Sequence, residues 1–498
     1  MRIFPPHATD FYKTGHIRQY PPGTSLVYSN FTCRSDKLAP VLPDFDHKVV
    51  FFGLQGLAQW LLRDLWRDAF FARPRDEVVA RYKRRMDQSL GPDAVDVRHI
   101  AALHELGHLP LLIKALPEGS RVDMRVPLLT IVNTHPDFFW VTNYVETQIS
   151  AELWKPITSA TIAHEYHRML AAAAARTGAD AAVLPWLGHD FSARGMSGIA
   201  DGASSGAGHL LSFLGTDSVA AIDYLDEYYP DAVPGMIGGS VPATEHSVMC
   251  MGGEDDEIGT FRRLVTELYP SGIVSIVSDT WDFWRVITDY AAALKPEIMA
   301  RTLDALGLSR VVFRPDSGDP VLILAGDPAA EPGSPAHKGA VQCLWDTFGG
   351  TETAKGFRQL DPHVGLIYGD SITLDRAGRI LAALEGKGFA STNVVFGIGS
   401  YTYQHVTRDS FGTAVKATFG VVDGVDRVLF KAPKTDTGMK NSARGLLRVE
   451  REGGHYVLHE LQTRAQEAAG LLQPVFRDGA VVRMEGLAAV RARLAAEA

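Results

Sequence analysis

Between about residues 180 and 410 one pattern recurs: a short apolar run, then a polar loop, often with a helix-like stretch before the next run. The run at 182–187 leads into Gly188-His189-Asp190-Phe191, 210–214 into Gly215-Thr216-Asp217, and 273–277 into Ser278-Asp279. The run at 311–313 leads into Arg314-Pro315-Asp316-Ser317-Gly318, 364–368 into Gly369-Asp370-Ser371, and 394–396 into Gly397-Ile398-Gly399-Ser400. Helix-like stretches lie at 219–229, 255–268 and 374–387. Strand, polar loop and helix, repeated this often, are what a parallel sheet with crossover helices requires. The expected fold class is therefore α/β, with a parallel TIM-like barrel over 156–409. A doubly wound open sheet is the alternative. In a barrel the C-terminal ends of the strands converge on one face, so the polar residues just named would share a site.

The flanks read differently. Apolar residues at 54–71 recur at helical spacing, with Arg63, Asp64, Arg67 and Asp68 on the other face. Strands are expected at 109–114 and 124–132, around the turn Pro117-Glu118-Gly119. The stretch 137–153 predicts a helix stopped at Pro156, and 159–177 a second one. After about residue 410 hairpin signals dominate: 415–422 and 427–431 flank Asp423-Gly424, 446–449 and 456–459 flank Gly453-Gly454, and Phe476 and Val481 flank Asp478-Gly479. A closing helix is expected from 486. Segments 1–155 and 410–498 are expected to form one α+β domain with an antiparallel sheet. The Pro/Gly/Ala-rich stretch 326–339 reads as a surface loop.

Charge narrows the function. With 49 Lys+Arg against 58 Asp+Glu the formal net charge is -9, which argues against a general binder of nucleic acid or anionic membrane. Local basic clusters remain free to grip a phosphorylated small molecule. Only Cys33, Cys250 and Cys343 occur, too few for a disulfide scaffold and without zinc-site spacing. The N-terminus lacks an apolar signal core, and no run of ~18 apolar residues exists. A soluble cytoplasmic protein is expected.

Four acids, Asp217, Asp279, Asp316 and Asp370, stand just after apolar runs. One such Asp is commonly a helix N-cap; four on converging strands favour a polar site able to hold ribose hydroxyls or a cationic transition state. Arg314 and Asp316 set a cation and an anion within one turn. The loop Phe396-Gly397-Ile398-Gly399-Ser400 lets backbone N–H groups approach an anion, but it is neither a Walker A loop nor a dinucleotide fingerprint. Arg408 and Lys416 follow it. In Glu245-His246-Ser247, the neighbouring Glu and a candidate Asp279 are expected to fix the imidazole tautomer. His164-Glu165-Tyr166-His167 lacks the spacing of a helical zinc motif and reads as a solvated helix face.

Assembled in order, these segments resemble the nicotinamide phosphoribosyltransferase family along nearly the whole chain: TDFYKTGHIRQYPPGTS, SNFTCR, VFFGLQ, GHLPLLIKALPEG, WVTNYVET, HDFSARG, FLGTDSV, VPATEHS, VSIVSD, FRPDSGDP, IYGDSI and TRD. The resemblance implies condensation of nicotinamide with phosphoribosyl pyrophosphate in NAD salvage, by a homodimer with sites at the interface. Phe191 would stack on the nicotinamide ring, with Tyr12 stacking from the partner subunit. Asp217 would accept from the carboxamide N–H₂. Arg194 would lie at the base and 5′-phosphate, and Arg314 near the amide oxygen and the phosphates. Asp316 and Asp370 would hold the ribose hydroxyls. Gly369, Gly399 and Ser400 would donate N–H groups to the 5′-phosphate, and Arg34, Arg408 and Lys416 would grip pyrophosphate. His246 would be phosphorylated by ATP as a coupling substrate, supported by Glu245 and Asp279. Mg²⁺ would bind through substrate phosphates rather than a protein cage.

The chain departs from the family pattern at GIGSY, where a more glycine-rich loop is expected. It also departs at Ala193, in place of a tyrosine, and at Ser371, in place of a glycine. Nicotinate phosphoribosyltransferase, or an inactive binding protein on the same fold, are the competing readings.

Overall fold

The structure, a computed structural model, describes residues 3–431 and 442–497. Six strands, Gly188–Asp190, Gly215–Thr216, Gly272–Val277, Ser309–Arg314, Val364–Tyr368 and Val394–Ile398, form one sheet in which every pairing is parallel. Their spatial order places 215–216 at one edge, then 188–190, 394–398, 364–368 and 309–314, with 272–277 at the other edge. The last strand in the chain thus lies beside the first, and the sheet curls as a parallel half-barrel. Across the open side runs the segment 239–243. It makes single parallel bridges, Gly239 to Gly215 and Ala243 to Ser275. The expected α/β class with a parallel sheet is present.

Two apolar runs do other work than expected. The run at 182–187 is not a strand: Ala181–Trp186 winds as a 3₁₀ helix, its N-terminus capped by Asp180 accepting from Ala182 N–H, with Pro185 inside. The strand begins only at Gly188. The run at 210–214 continues the turns that end the helix Ile199–His209, and buries Leu210, Leu211 and Phe213 there. Short apolar runs have no periodicity to separate these cases.

Pro156 does not stop the helix either. One helix, Glu146–Thr177, runs through it. The proline withholds only its own N–H, and its ring fills the space beside Gly53. A Cβ on Gly53 would lie 2.5 Å from Pro156 Cγ. Leu153 and Ile157, both fully buried, flank the ring, so packing outweighs the ~3 kcal/mol a mid-helix proline costs. Further along this helix His164, Glu165 and Tyr166 are buried, not solvated. Glu165 pairs with Arg168 at 3.0 Å, and Tyr166 Oη lies 2.9 Å from Thr402 Oγ1. The 326–339 stretch is largely loop, as expected, but includes the short helix Pro335–Lys338.

The second sheet is antiparallel and seven-stranded. In order it comprises Val425–Val428, Ala414–Val422, Thr24–Thr32, Pro127–Asn133, Leu111–Ala115, Gln473–Arg477 and Ala480–Val481. Its middle comes from the start of the chain and both flanks from the end. Asn30 pairs with Lys416, and Ile113 with Phe476. The hairpin strands Leu446–Glu452 and His455–Gln462 and the helix Leu487–Ala496 follow the expected C-terminal pattern. The 146–177 helix serves two cores. Ile149, Leu153 and Ile157 pack with the antiparallel sheet, while Ile162, Tyr166 and Leu170 pack with the parallel one. No helix among the described residues is long and apolar enough to cross a membrane.

Candidate active site

The C-terminal ends of the parallel strands gather most of the sequence-predicted residues. Phe191 follows the 188–190 strand, and its N–H donates to the Ile398 carbonyl at 3.0 Å. Its ring lies over two glycines, Gly397 within the strand Val394–Ile398 and Gly369 just past the strand Val364–Tyr368. A Cβ on Gly369 would sit 2.7 Å from Phe191 Cδ2, and one on Gly397 would sit 2.5 Å from Phe191 Cε2. These glycines make room for an aromatic platform, a reason for glycine in a strand that the bare sequence does not display.

Beside the platform stands Asp217. Its Oδ1 takes two donors, His189 Nε2 at 2.9 Å and Ser240 Oγ at 2.6 Å. Partial desolvation works to raise its pKa, but those hydrogen bonds and the charge of Arg314 outweigh it and hold the carboxyl below its ordinary value. Neither His189 nor Ser240 stands out from the sequence as a site residue. Ser240 is carried by the segment that bridges the sheet edges.

A second cluster is tied together by Asp279, whose side chain is only 5% exposed. Its Oδ1 lies 3.2 Å from His246 Nε2, and its Oδ2 accepts from the Asp316 backbone N–H at 3.0 Å. One carboxylate therefore links the loops after two strands to the histidine that begins the helix His246–Gly252. Glu245, expected to support His246, instead accepts from the Ser247 hydroxyl. Arg314 donates through Nη2 to the Thr244 carbonyl at 2.5 Å, while its buried Nε has no partner within the described residues. Partial desolvation pushes the Asp316 carboxyl up. Asp279 and Asp370 add to this, and Arg314 and His246 oppose it. Asp316 and Asp370 are both exposed. Ser371, at the position where the family is expected to carry glycine, has a left-handed φ of 50°. Arg194 is exposed, and Gly399 precedes the short helix Ser400–Tyr403. Gly195 packs against the Ser400 side chain, so the extra Cβ at 400 faces a residue that has none.

Cations gather on the antiparallel sheet and the adjoining loops. Lys416 is half-buried; desolvation lowers its pKa, Arg34, Arg408 and Lys13 lower it further, and Glu146 partly restores it. The three residues expected to grip pyrophosphate thus share one field, with a fourth cation that sequence reasoning passed over. Lys13 is buried and ion-paired with Glu146 at 2.6 Å. Arg34 is anchored by Nε donating to the Gly412 carbonyl at 2.8 Å. Tyr12 is 62% exposed; its ring neighbours His16 at 5.1 Å, not Phe191 of its own chain. Among the described residues no group of three or more His, Cys, Asp or Glu side chains could hold a metal ion.

Residues 187–480 match the model of the nicotinate phosphoribosyltransferase family, and residues 6–73 that of the nicotinamide phosphoribosyltransferase N-terminal domain. The chain belongs to this phosphoribosyltransferase family. It is 61% identical to a nicotinamide phosphoribosyltransferase of Acinetobacter baylyi, over 99% of this chain and 97% of that one. It is 33% identical to a nicotinamide phosphoribosyltransferase of Xanthomonas campestris, over 97% and 96%. Among solved structures, human nicotinic acid phosphoribosyltransferase superposes with a TM-score of 0.56 at 15% identity, over 98% of this chain and 93% of that one. A nicotinate-nucleotide pyrophosphorylase of Pyrococcus furiosus gives 0.55 at 14% identity, over 99% and 94%. At those identities the likeness is one of fold. As a phosphoribosyltransferase of pyridine nucleotide salvage, the chain is an enzyme, as its motifs implied.

Proposed function

We propose that the chain transfers the phosphoribosyl group of phosphoribosyl pyrophosphate to nicotinamide, giving nicotinamide mononucleotide and pyrophosphate. The observation that carries this reading is Asp217, an ionised acid beside the aromatic platform whose Oδ1 takes two donors while its Oδ2 has none among the described residues. A free carboxylate oxygen suits an amide N–H₂. Against the carboxylate of nicotinate it would set two anions in a confined pocket, at a cost of several kcal/mol in order of magnitude. The names of the two most similar relatives described above support the same choice.

In this reading Phe191 holds one face of the flat ring, and Tyr12 of a second copy holds the other, which its exposure in one chain allows. The ring nitrogen attacks C1′ as pyrophosphate departs through an oxocarbenium-like state. Negative charge grows on the leaving group, where Arg34, Arg408, Lys416 and Lys13 receive it. Asp316 and Asp370 hold the ribose hydroxyls. Gly369, Gly399 and Ser400 offer N–H groups to the 5′-phosphate, near Arg194. Mg²⁺ would be carried in on the substrate phosphates and would neutralise charge there. His246, oriented by Asp279, is the group we assign to phosphorylation by ATP. The 239–243 segment serves as the seventh member of a closed TIM-like barrel over 156–409, and segments 1–155 and 410–498 form the companion domain. The enzyme works in the cytoplasm as a homodimer.

Purified protein with phosphoribosyl pyrophosphate and Mg²⁺ is given nicotinamide or nicotinate. Nicotinamide mononucleotide from the amide alone is expected, and Asp217→Asn should erode that preference at least tenfold. Turnover of nicotinate in preference to the amide would overturn the assignment of substrate.

A further inference from the structure

His189 stands between the two groups that define the base pocket, and the reading above gives it no role beyond its hydrogen bond to Asp217. It lies on the strand Gly188–Asp190, in register with Gly215 of the next strand, and is buried. Its Nε2 meets Asp217 Oδ1 at 2.9 Å, and its ring centroid is 4.9 Å from that of Phe191. An ionised carboxylate only accepts, so the imidazole proton is assigned to Nε2. Nδ1 faces Gly215, where a Cβ would come within 2.8 Å. The bare glycine thus lets the ring lie flat enough to reach Asp217 on one side and Phe191 on the other.

Resting on the nicotinamide reading, we propose that His189 is a positioning residue that sets the preference for the amide over the acid. With Ser240 it saturates Oδ1 and leaves Oδ2 as the acceptor for the incoming N–H₂. A carboxylate with both oxygens free could rotate. It could also take up a proton and share it with the carboxylate of nicotinate, as carboxyl pairs do. Two donors on Oδ1 oppose both escapes, because each hydrogen bond favours the ionised, fixed form. The residue acts through Asp217 and Phe191 and has no assigned contact with the base.

The test compares three variants by kcat/KM for nicotinamide and for nicotinate, by KM for phosphoribosyl pyrophosphate, and by thermal unfolding. His189→Phe keeps a ring beside Phe191 and removes the donor. His189→Asn removes the donor at the Nε2 position with a smaller side chain, for use if the phenylalanine variant does not fold. His189→Gln restores an N–H near the Nε2 position. The expected result is a fall in the amide-to-acid ratio of roughly tenfold or more for Phe and Asn, the scale of one charge-assisted hydrogen bond. The loss should lie in nicotinamide KM, with phosphoribosyl pyrophosphate KM within about twofold of the parent. Gln should hold the ratio within about threefold of the parent. A ratio unchanged in folded Phe or Asn variants, or a Gln variant as unselective as Asn, would overturn the proposal. If the parent enzyme itself prefers nicotinate, the assignment of substrate fails instead, before any variant is read.

Discussion

Gly397→Ala tests the aromatic platform directly. Gly397 is buried in the strand Val394–Ile398, and its φ is not left-handed, so alanine is tolerated by the backbone. The obstacle is space. The new methyl would lie 2.5 Å from Phe191 Cε2 and 2.6 Å from Gly369 Cα. Carbon atoms prefer about 3.5–4.0 Å, so the ring must retreat by roughly 1 Å or the strands must part. Overpacking of this kind costs about 1–3 kcal/mol. If the Phe191 ring yields, the cost appears in base binding as a roughly 5- to 150-fold rise in nicotinamide KM. The cations assigned to pyrophosphate lie on the other sheet, but Gly369 also borders the new methyl, so phosphoribosyl pyrophosphate KM should rise by less than nicotinamide KM. Steady-state kinetics with each substrate varied in turn, together with thermal unfolding, give both readouts. Adding Phe191→Leu should recover thermal stability without recovering KM, since the smaller side chain frees space but removes the platform. A Gly397→Ala enzyme with nicotinamide KM within twofold of the parent, and unaltered stability, would refute the packing on which the platform rests.

Other outcomes follow from the same geometry. His246→Gln should abolish transfer of label from γ-labelled ATP to the protein; a labelled variant would end the assignment of His246. Lys416→Met should raise phosphoribosyl pyrophosphate KM by roughly tenfold or more, as loss of a charged hydrogen bond does, and an unchanged KM would remove the cation cluster from the site. Burial holds His99 and His209 down to about 4 and His164 to about 3. Below their ordinary 6.5 the unfolded chain binds protons that the folded one refuses, so this stability is full above pH 6.5 and lost as pH falls towards 4, and for His164 towards 3. The loss is on the order of 3 to 5 kcal/mol per group. His164→Gln should flatten the fall of Tm between pH 7 and 5, and an identical slope would contradict it.

The alternation of strand and helix in the middle of the chain is legible because largely buried parallel strands carry mostly apolar runs, and 273–277, 311–313 and 364–368 all lie on strands. The runs at 182–187 and 210–214 look the same in sequence but form a 3₁₀ helix and the turns that end an α-helix, because an apolar stretch of five or six residues buries equally well there. Pro156 continues a helix because of Gly53, a hundred residues earlier, and no local rule sees that partner. The acids at the strand ends are recognisable by position. Their supporting groups are not. His189 and Ser240 meet on Asp217 only after the sheet has curled, and Asp279, rather than the adjacent Glu245, takes His246. Lys13 carried no signal beyond its place next to Tyr12, since burial of a lysine is decided by an ion pair formed with Glu146.

The antiparallel sheet imposes an order on the birth of the molecule. Strands Thr24–Thr32, Pro127–Asn133 and Leu111–Ala115 leave the ribosome early, but their outer edges are completed by Ala414–Val422 and Gln473–Arg477. Roughly 280 residues separate the last early strand from the first late one, and at about 5–20 residues per second that gap lasts roughly 14 to 56 s. During that interval a three-stranded sheet waits with both sides unpaired, an open template for another nascent chain. Shortening the chain from its C-terminus therefore removes more than a tail. It leaves the first strands made without the partners that close them, and yield on expression should depend on how fast the last hundred residues arrive.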